Sequence, residues 1–235
     1  MKNNELYLIV LVAIAMLSAS CSTTRRIPEG EILYTGVKKI NVEPVSGYKV
    51  PSSVSDALSD AVHVKPNNSL FGSASVRYPF PLGLWVYNNW SNPPKGFKHW
   101  LYEKLVEEPV LVSDVRPEVR IKMMDEILDD NGYFQGKATY ELVKGKNPKK
   151  AKILYNVVTG PEYSIDSIIL LPDSCHLHHI IDSVAMNSRY LIRGVRYCAD
   201  SLSQVRVDIA NAVRNRGYYF FRPEYILSLI HISEP

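Results

Sequence analysis

One cluster in this 235-residue chain gathers residue types that bind metals: Cys175-His176-Leu177-His178-His179. Thiolate and imidazole are ligands that zinc prefers. Neighbouring positions on a helix point about 100° apart, so at most two of these groups face one ion, with His176 and His179 the best-spaced pair. Solvated histidines at a helix start are the expected reading, with no metal and no cofactor. Asp129-Asp130 reads as the solvated end of an amphipathic helix. There is no Gly-rich phosphate loop, nucleophile elbow or constellation of paired carboxylates, so the chain is not expected to be an enzyme. Lys144, Lys146, Lys149 and Lys150 form the only basic cluster. It carries no interleaved aromatics and falls at a hairpin tip, which predicts a solvated turn. With a net charge of +3, nucleic acid is not an expected partner. In an oxidising compartment Cys175 and Cys198 could close a loop of 24 residues, worth about 3 kcal/mol on loop entropy. Two free buried thiols are the equal alternative.

A helix and the hairpin after it organise the middle of the chain. After Pro117, Val119, Met123 and Ile127 recur every four positions and Met124 and Leu128 widen the stripe, while Arg120, Lys122, Asp125, Asp129 and Asp130 take the remainder. This spacing predicts an amphipathic helix with one buried side. Pro in the first turn loses no hydrogen bond, and Asn131-Gly132 supplies the left-handed residue that ends it. Over 137–143, Ala138, Tyr140 and Leu142 alternate with Lys137, Thr139 and Glu141. After the polar turn 144–150, Ile153, Tyr155 and Val157 alternate with Leu154, Asn156 and Val158. Period two predicts two half-buried strands.

A second copy follows when Gly217 is set against Gly132. Its helix carries Leu202, Val205, Ile209 and Val213, and Ser201 with Gln204 has capping-box spacing. It ends in Asn215-Arg216-Gly217-Tyr218-Tyr219-Phe220, against Asn131-Gly132-Tyr133-Phe134 in the first. A strand over 163–171, a helix through Leu177, Ile180, Ile181 and Val184, and a last strand entered at Tyr218 complete the expectation.

Ahead of the first helix, 37–42 reads as a strand, and Ser52 or Ser53 caps a helix with the stripe Val54, Ala57, Leu58, Ala61 and Val62. The unit is strand, helix, helix, strand, strand. An insertion over about 63–116 interrupts it, dense in aromatics such as Trp85, Trp90 and Trp100 and broken by prolines. Short helices over 82–90 and 97–106 and packing onto its own domain are expected. At the start, Lys2 precedes an apolar run of twelve residues, 6–17, too short to span a bilayer but right for a secretory signal. Ser18, Ala19, Ser20 and Cys21 follow. This resembles a bacterial lipoprotein signal, which implies that Cys21 becomes a lipidated N-terminus, and Ser22 after it fits the outer membrane.

The strand-helix-helix-strand-strand order, with the second helix ending in Gly-Tyr, resembles the POTRA domain of outer-membrane assembly factors. Cys21-Ser-Thr-Thr, Pro28-Glu-Gly-Glu31, Lys65-Pro-Asn67, Leu84-Trp-Val-Tyr-Asn88, Glu108-Pro-Val110, Asn131-Gly-Tyr-Phe134, Tyr155 with Gly160 and Arg216-Gly-Tyr-Tyr-Phe-Phe221 together resemble the lipoprotein branch of the TamA/BamA family, TamL. The expected organisation is a signal peptide over 1–20, a tether over 21–35, a POTRA-like domain over 36–160 and an incomplete second one over 161–227. Residues 228–235 resemble a translated sequencing-adapter tail and are expected to be non-native; family members continue into a membrane β-barrel. The resemblance implies an α+β, lipid-anchored, periplasm-facing module. It would bind unfolded outer-membrane proteins or a TamB-like partner by β-strand addition, with Lys137, Thr139, Glu141 and Val143, or Tyr218 and Phe220, at the receiving edges. The alternative is a self-contained lipoprotein that binds a small ligand or a surface partner.

Overall fold

The chain is described by a computed structural model covering residues 23–45, 49–69, 81–90, 96–170 and 175–227. Cys21, the expected signal peptide and the tail over 228–235 lie outside the described residues. The fold is α+β. Two compact units divide it, one comprising the described parts of Met1–Glu43, Ser55–Met124 and Ala138–Val157, the other those of Pro44–Val54, Asp125–Lys137 and Val158–Pro235.

The first unit holds a three-stranded sheet of β1 (Leu33–Glu43), β2 (Lys137–Lys144) and β3 (Lys150–Val158), in the order β1-β3-β2. Leu33 N donates to Lys149 O at 2.9 Å and Thr35 Oγ1 to Ala151 O at 2.8 Å, so β1 runs parallel to β3. Gly145 N donates to Lys150 O at 3.4 Å and Thr139 Oγ1 to Asn156 O at 3.4 Å, so β2 runs antiparallel to it. A parallel pair needs a long crossover. Here it carries α1 (Ser52–Ala61), α2 (Leu82–Asn89), α3 (Phe97–Leu105), α4 (Val112–Val115) and α5 (Pro117–Asp130).

Central β3 buries Ala151, Ile153, Tyr155 and Val157, and α1 buries Val54, Leu58 and Ala61, each at the period its element dictates. In α5 the buried residues are Met124 and Leu128, whereas Val119 and Met123 are 48% and 41% exposed. The buried side is therefore the Met124/Leu128 edge of the expected stripe, while its Val119/Met123 edge faces outward. Arg120 Nη1 donates to Ala61 O at 2.8 Å and the Tyr140 hydroxyl donates to Glu118, and these two ties set the rotation. Beneath them the Tyr155 hydroxyl is buried with no hydrogen-bond partner among the described residues, and burial, with Tyr34 nearby, pushes its phenol well up. A buried hydroxyl without a partner is destabilising. Tyr155→Phe is expected to raise stability by about 1–2 kcal/mol, read as a later urea midpoint; a lower midpoint would show that the hydroxyl is satisfied.

Described parts of the region 63–116 pack onto this unit. Val110–Val112 lies along the start of β1, with Tyr34 N donating to Val110 O and Val112 N to Ile32 O, both at 2.9 Å. Asn67 holds that segment through Val110 N at 2.8 Å and Glu108 O at 2.5 Å. Residues 23–27 are also part of the body and form no loose tether: Thr23, Thr24 and Ile27 are 1%, 7% and 4% exposed. Asn88 on α2 holds them, accepting from Arg26 N at 2.9 Å and donating to Thr23 O at 3.1 Å.

In the second unit α6 (His176–Met186) and α7 (Ala199–Asn215) share a core of Ile180, Ala185, Val205, Ile209 and Val213, with Leu170, Phe221 and Ile226 packed against it. α7 begins earlier than Ser201: Cys198 is the N-cap, without a side-chain cap bond, and Gln204 bonds Asp208 instead. The ends of α5 and α7 repeat bond for bond. Gly132 N donates to Asp129 O and Gly217 N to Arg214 O, both at 3.0 Å; Tyr133 N reaches Leu128 O and Tyr218 N reaches Val213 O. Both glycines have positive φ, +83° and +100°, the left-handed position of a helix stop. At Gly132 a Cβ would also lie 3.0 Å from Tyr197 O.

The second unit has no β-ladder among the described residues. Over 163–170 the described pairing is the bridge Ser164↔Arg196, with Tyr197 N donating to Tyr163 O at 3.0 Å and Ile165 N to Val195 O at 2.8 Å, together with Tyr163 N to Gly132 O at 2.9 Å. Tyr218 and Phe220 form no strand edge. They sit in the turn matching Tyr133 to Gly136, which also precedes β2, and a 3-10 turn at Pro223–Tyr225 follows.

Candidate functional site

The candidate site is the outer edge of β2. A β-strand points successive backbone N–H and C=O pairs to alternate sides, so the hydrogen bonds to β3 fix which residues face outward. Ala151 O accepts from Thr35 on the β1 side, and Lys150 O and Asn156 O accept from β2. This parity sets 145 against 150 and 139 against 156. Hence the backbone groups of Lys137, Thr139, Glu141 and Val143 face β3. Those of their neighbours Tyr140, Leu142 and Lys144 face outward. The edge was legible in the hairpin pattern, but the parity required the register of the turn, and the first four residues were the expected ones.

Side chains follow the same alternation. Lys137, Thr139 and Glu141 are exposed and Val143 is half-buried on the solvent face; Ala138 is buried, Tyr140 half-buried and Leu142 37% exposed on the other. Lys137 Nζ lies 3.9 Å from Asp125, an exposed pair of small energetic weight. The bond from Tyr140 holds the Glu118 carboxyl below its usual range and pushes the phenol up. Burial, with Asp125 and Asp130 alongside, pushes Asp129 up. At the other end of the sheet, the start of β1 is occupied by Val110–Val112. Among the described residues β2 has one strand neighbour, β3.

The other sequence candidates separate. Cys175 and Cys198 are both free. The His176 ring stacks on Tyr218 at 6.5 Å, beyond the end of α7, while Cys198 caps the start of that same helix. Seventeen residues of helix span about 25 Å, far beyond disulfide reach. His178 Nδ1 lies 3.2 Å from Asp182 Oδ1 one turn on, and His179 is exposed. Among the described residues no group of three His, Cys, Asp or Glu side chains could hold a metal. An open cleft of about 880 Å³ lies beside α6 and α7, lined by Ser183, Asn187, Arg189, Gln204 and Asp208 among others. Its charged groups are engaged, Arg189 over the Tyr190 ring and Asp208 with Gln204. No described helix is long and apolar enough to cross a membrane. No family model matches the chain, and no curated protein or solved structure is similar to it.

Proposed function

We propose that this chain is the client- or partner-binding, POTRA-like part of a lipid-anchored outer-membrane assembly factor, and that it receives an extended segment as an added strand on the outer edge of β2. The observation that carries the reading is the β1-β3-β2 order with β1 partly covered. It leaves Tyr140, Leu142 and Lys144 to offer three N–H and three C=O groups at strand spacing. Main-chain pairing supplies affinity with little sequence demand, which suits a binder of many unfolded β-barrel proteins or of a TamB-like partner. Lys137 and Lys144 at its two ends discourage pairing with a second copy of the same edge. The N-terminal sequence supports membrane attachment through Cys21. Hydrogen exchange tests the edge. Adding a peptide from a barrel strand, with alternating apolar residues, should slow the Leu142 and Lys144 amides at least tenfold and leave the Thr139 and Glu141 amides, already bonded to β3, unchanged. Unaltered exchange at Leu142 under saturating peptide would sink the proposal.

A further inference from the structure

The turn between β2 and β3 lies against the first described residues of the chain. Asn147 Nδ2 donates to Thr24 Oγ1 at 3.3 Å, while Asn147 Oδ1 accepts from Lys149 N at 2.9 Å. Leu33 N donates to Lys149 O at 2.9 Å. One side chain thus clamps the basic turn to Thr24. Around the clamp Arg25, Lys144, Lys146 and Lys149 are exposed, and no ion pair among the described residues holds any of them. Of the acids close in sequence, Glu31 accepts from Ser113, Glu29 is exposed, and Glu141 lies on the solvent face of β2. Arg25, Lys144, Lys146 and Lys149 against Glu29, Glu31 and Glu141 leave a net charge of +1 here.

Position gives this charge its meaning. Thr23 and Thr24 are buried, so residues of the folded body lie within two to three positions of Cys21 in the chain. Two residues reach no more than about 7 Å, which is inside the Debye length of physiological salt, about 8 Å. We propose that the β2–β3 turn, with Arg25, forms a cationic surface that rests on anionic lipid headgroups beside the Cys21 attachment point. The inference rests on the lipoprotein reading of Cys21. Acyl chains alone would leave the body free to pivot; a short attachment beside a basic turn fixes which face meets the membrane. A basic residue at an anionic surface strengthens attachment by about fivefold, so three lysines outweigh any one contact in setting the orientation.

The test removes the lipid and keeps the charge. The full chain carrying Cys21→Ser is mixed with equimolar phosphatidylglycerol/phosphatidylcholine vesicles or with pure phosphatidylcholine vesicles, with and without Lys144→Gln, Lys146→Gln and Lys149→Gln together. The triple substitution should weaken sedimentation with the anionic vesicles by about ten- to a hundredfold. It should leave the neutral vesicles unchanged, and the difference should vanish in about 1 M salt. Retention on anionic vesicles within about twofold, with an unaltered unfolding midpoint, would overturn the proposal. So would a loss seen equally with soluble heparin when the vesicles bind neither chain. The mass of the N-terminal peptide of wild-type protein judges the lipoprotein reading separately. An acyl-free Cys21 removes that reading, and the vesicle comparison then stands or falls without it.

Discussion

Leu142→Pro should abolish strand addition and leave the unit folded, whereas Glu141→Pro, one residue away, should unfold the hairpin. Proline lacks the N–H and is tolerated at a sheet edge only where that N–H faces away from the ladder. At Leu142 the lost donor is one offered outward, and the side chain is 37% exposed, so truncation leaves no sealed cavity. At Glu141 the parity turns the lost donor toward β3, so proline removes a ladder bond and leaves the facing carbonyl without it. That costs about 1–3 kcal/mol for the orphaned acceptor alone. Binding of a barrel-strand peptide, measured by fluorescence anisotropy, should fall at least tenfold for Leu142→Pro at an unaltered urea midpoint. Equal binding by the folded Leu142→Pro protein would remove β2 as the receiving edge. A lower midpoint for Leu142→Pro than for Glu141→Pro would show that the assigned parity is reversed.

Asn88→Ala is the second large effect, here on stability. Asn88 is 2% exposed. Its amide donates to Thr23 O at 3.1 Å and Leu84 O at 2.8 Å, and its oxygen accepts from Arg26 N at 2.9 Å. Alanine removes the acceptor of Arg26 N and the amide donor to Thr23 O at a place where Thr23 and Ile27 are closed to solvent. A cost of about 1–3 kcal/mol follows from the unpaired Arg26 N–H and the lost Asn88 contacts. Trypsin should then cut at Arg25 or Arg26 well before the rest of the chain. Asn89→Ala is the control: its bond is the exposed one to Trp85 O at 2.9 Å, and the change should stay within about 0.5 kcal/mol. Similar losses for both variants would place the effect in α2 itself rather than in the docked segment.

The elements with a strong period were legible in sequence. β3 alternates as its residues dictate, and α7 buries Val205, Ile209 and Val213, three of the four residues in its apolar stripe. Where a stripe was broader than one face, periodicity could not choose. In α5 both Val119/Met123 and Met124/Leu128 are apolar, and only the contacts of Glu118 and Arg120 with other elements select the second pair. Long-range polar ties left no signal of comparable strength. Nothing local to Asn88, Asn67 or Asn147 marks them as clamps on residues 23, 108 or 24. For the same reason residues 23–27 read as a tether and the lysine turn as an isolated solvated loop. The expected strand over 163–171 has the right residue types, but strands need a neighbour. Among the described residues it has the single bridge Ser164↔Arg196 and a bond from Tyr163 N to Gly132 O, and no ladder.

The parallel pairing of β1 with β3 sets an order in time. Thr35 and its acceptor Ala151 are 116 positions apart, whereas β2 and β3 are joined by a short turn. Loop closure makes distant pairings slow and neighbouring ones quick. A chain emerging N-terminus first, from a ribosome or through a narrow pore, therefore holds β1 without its sheet neighbour β3 until residue 151 has followed. The hairpin then completes within itself and captures β1 last. Such a chain gains its sheet only after the strand in the middle has arrived.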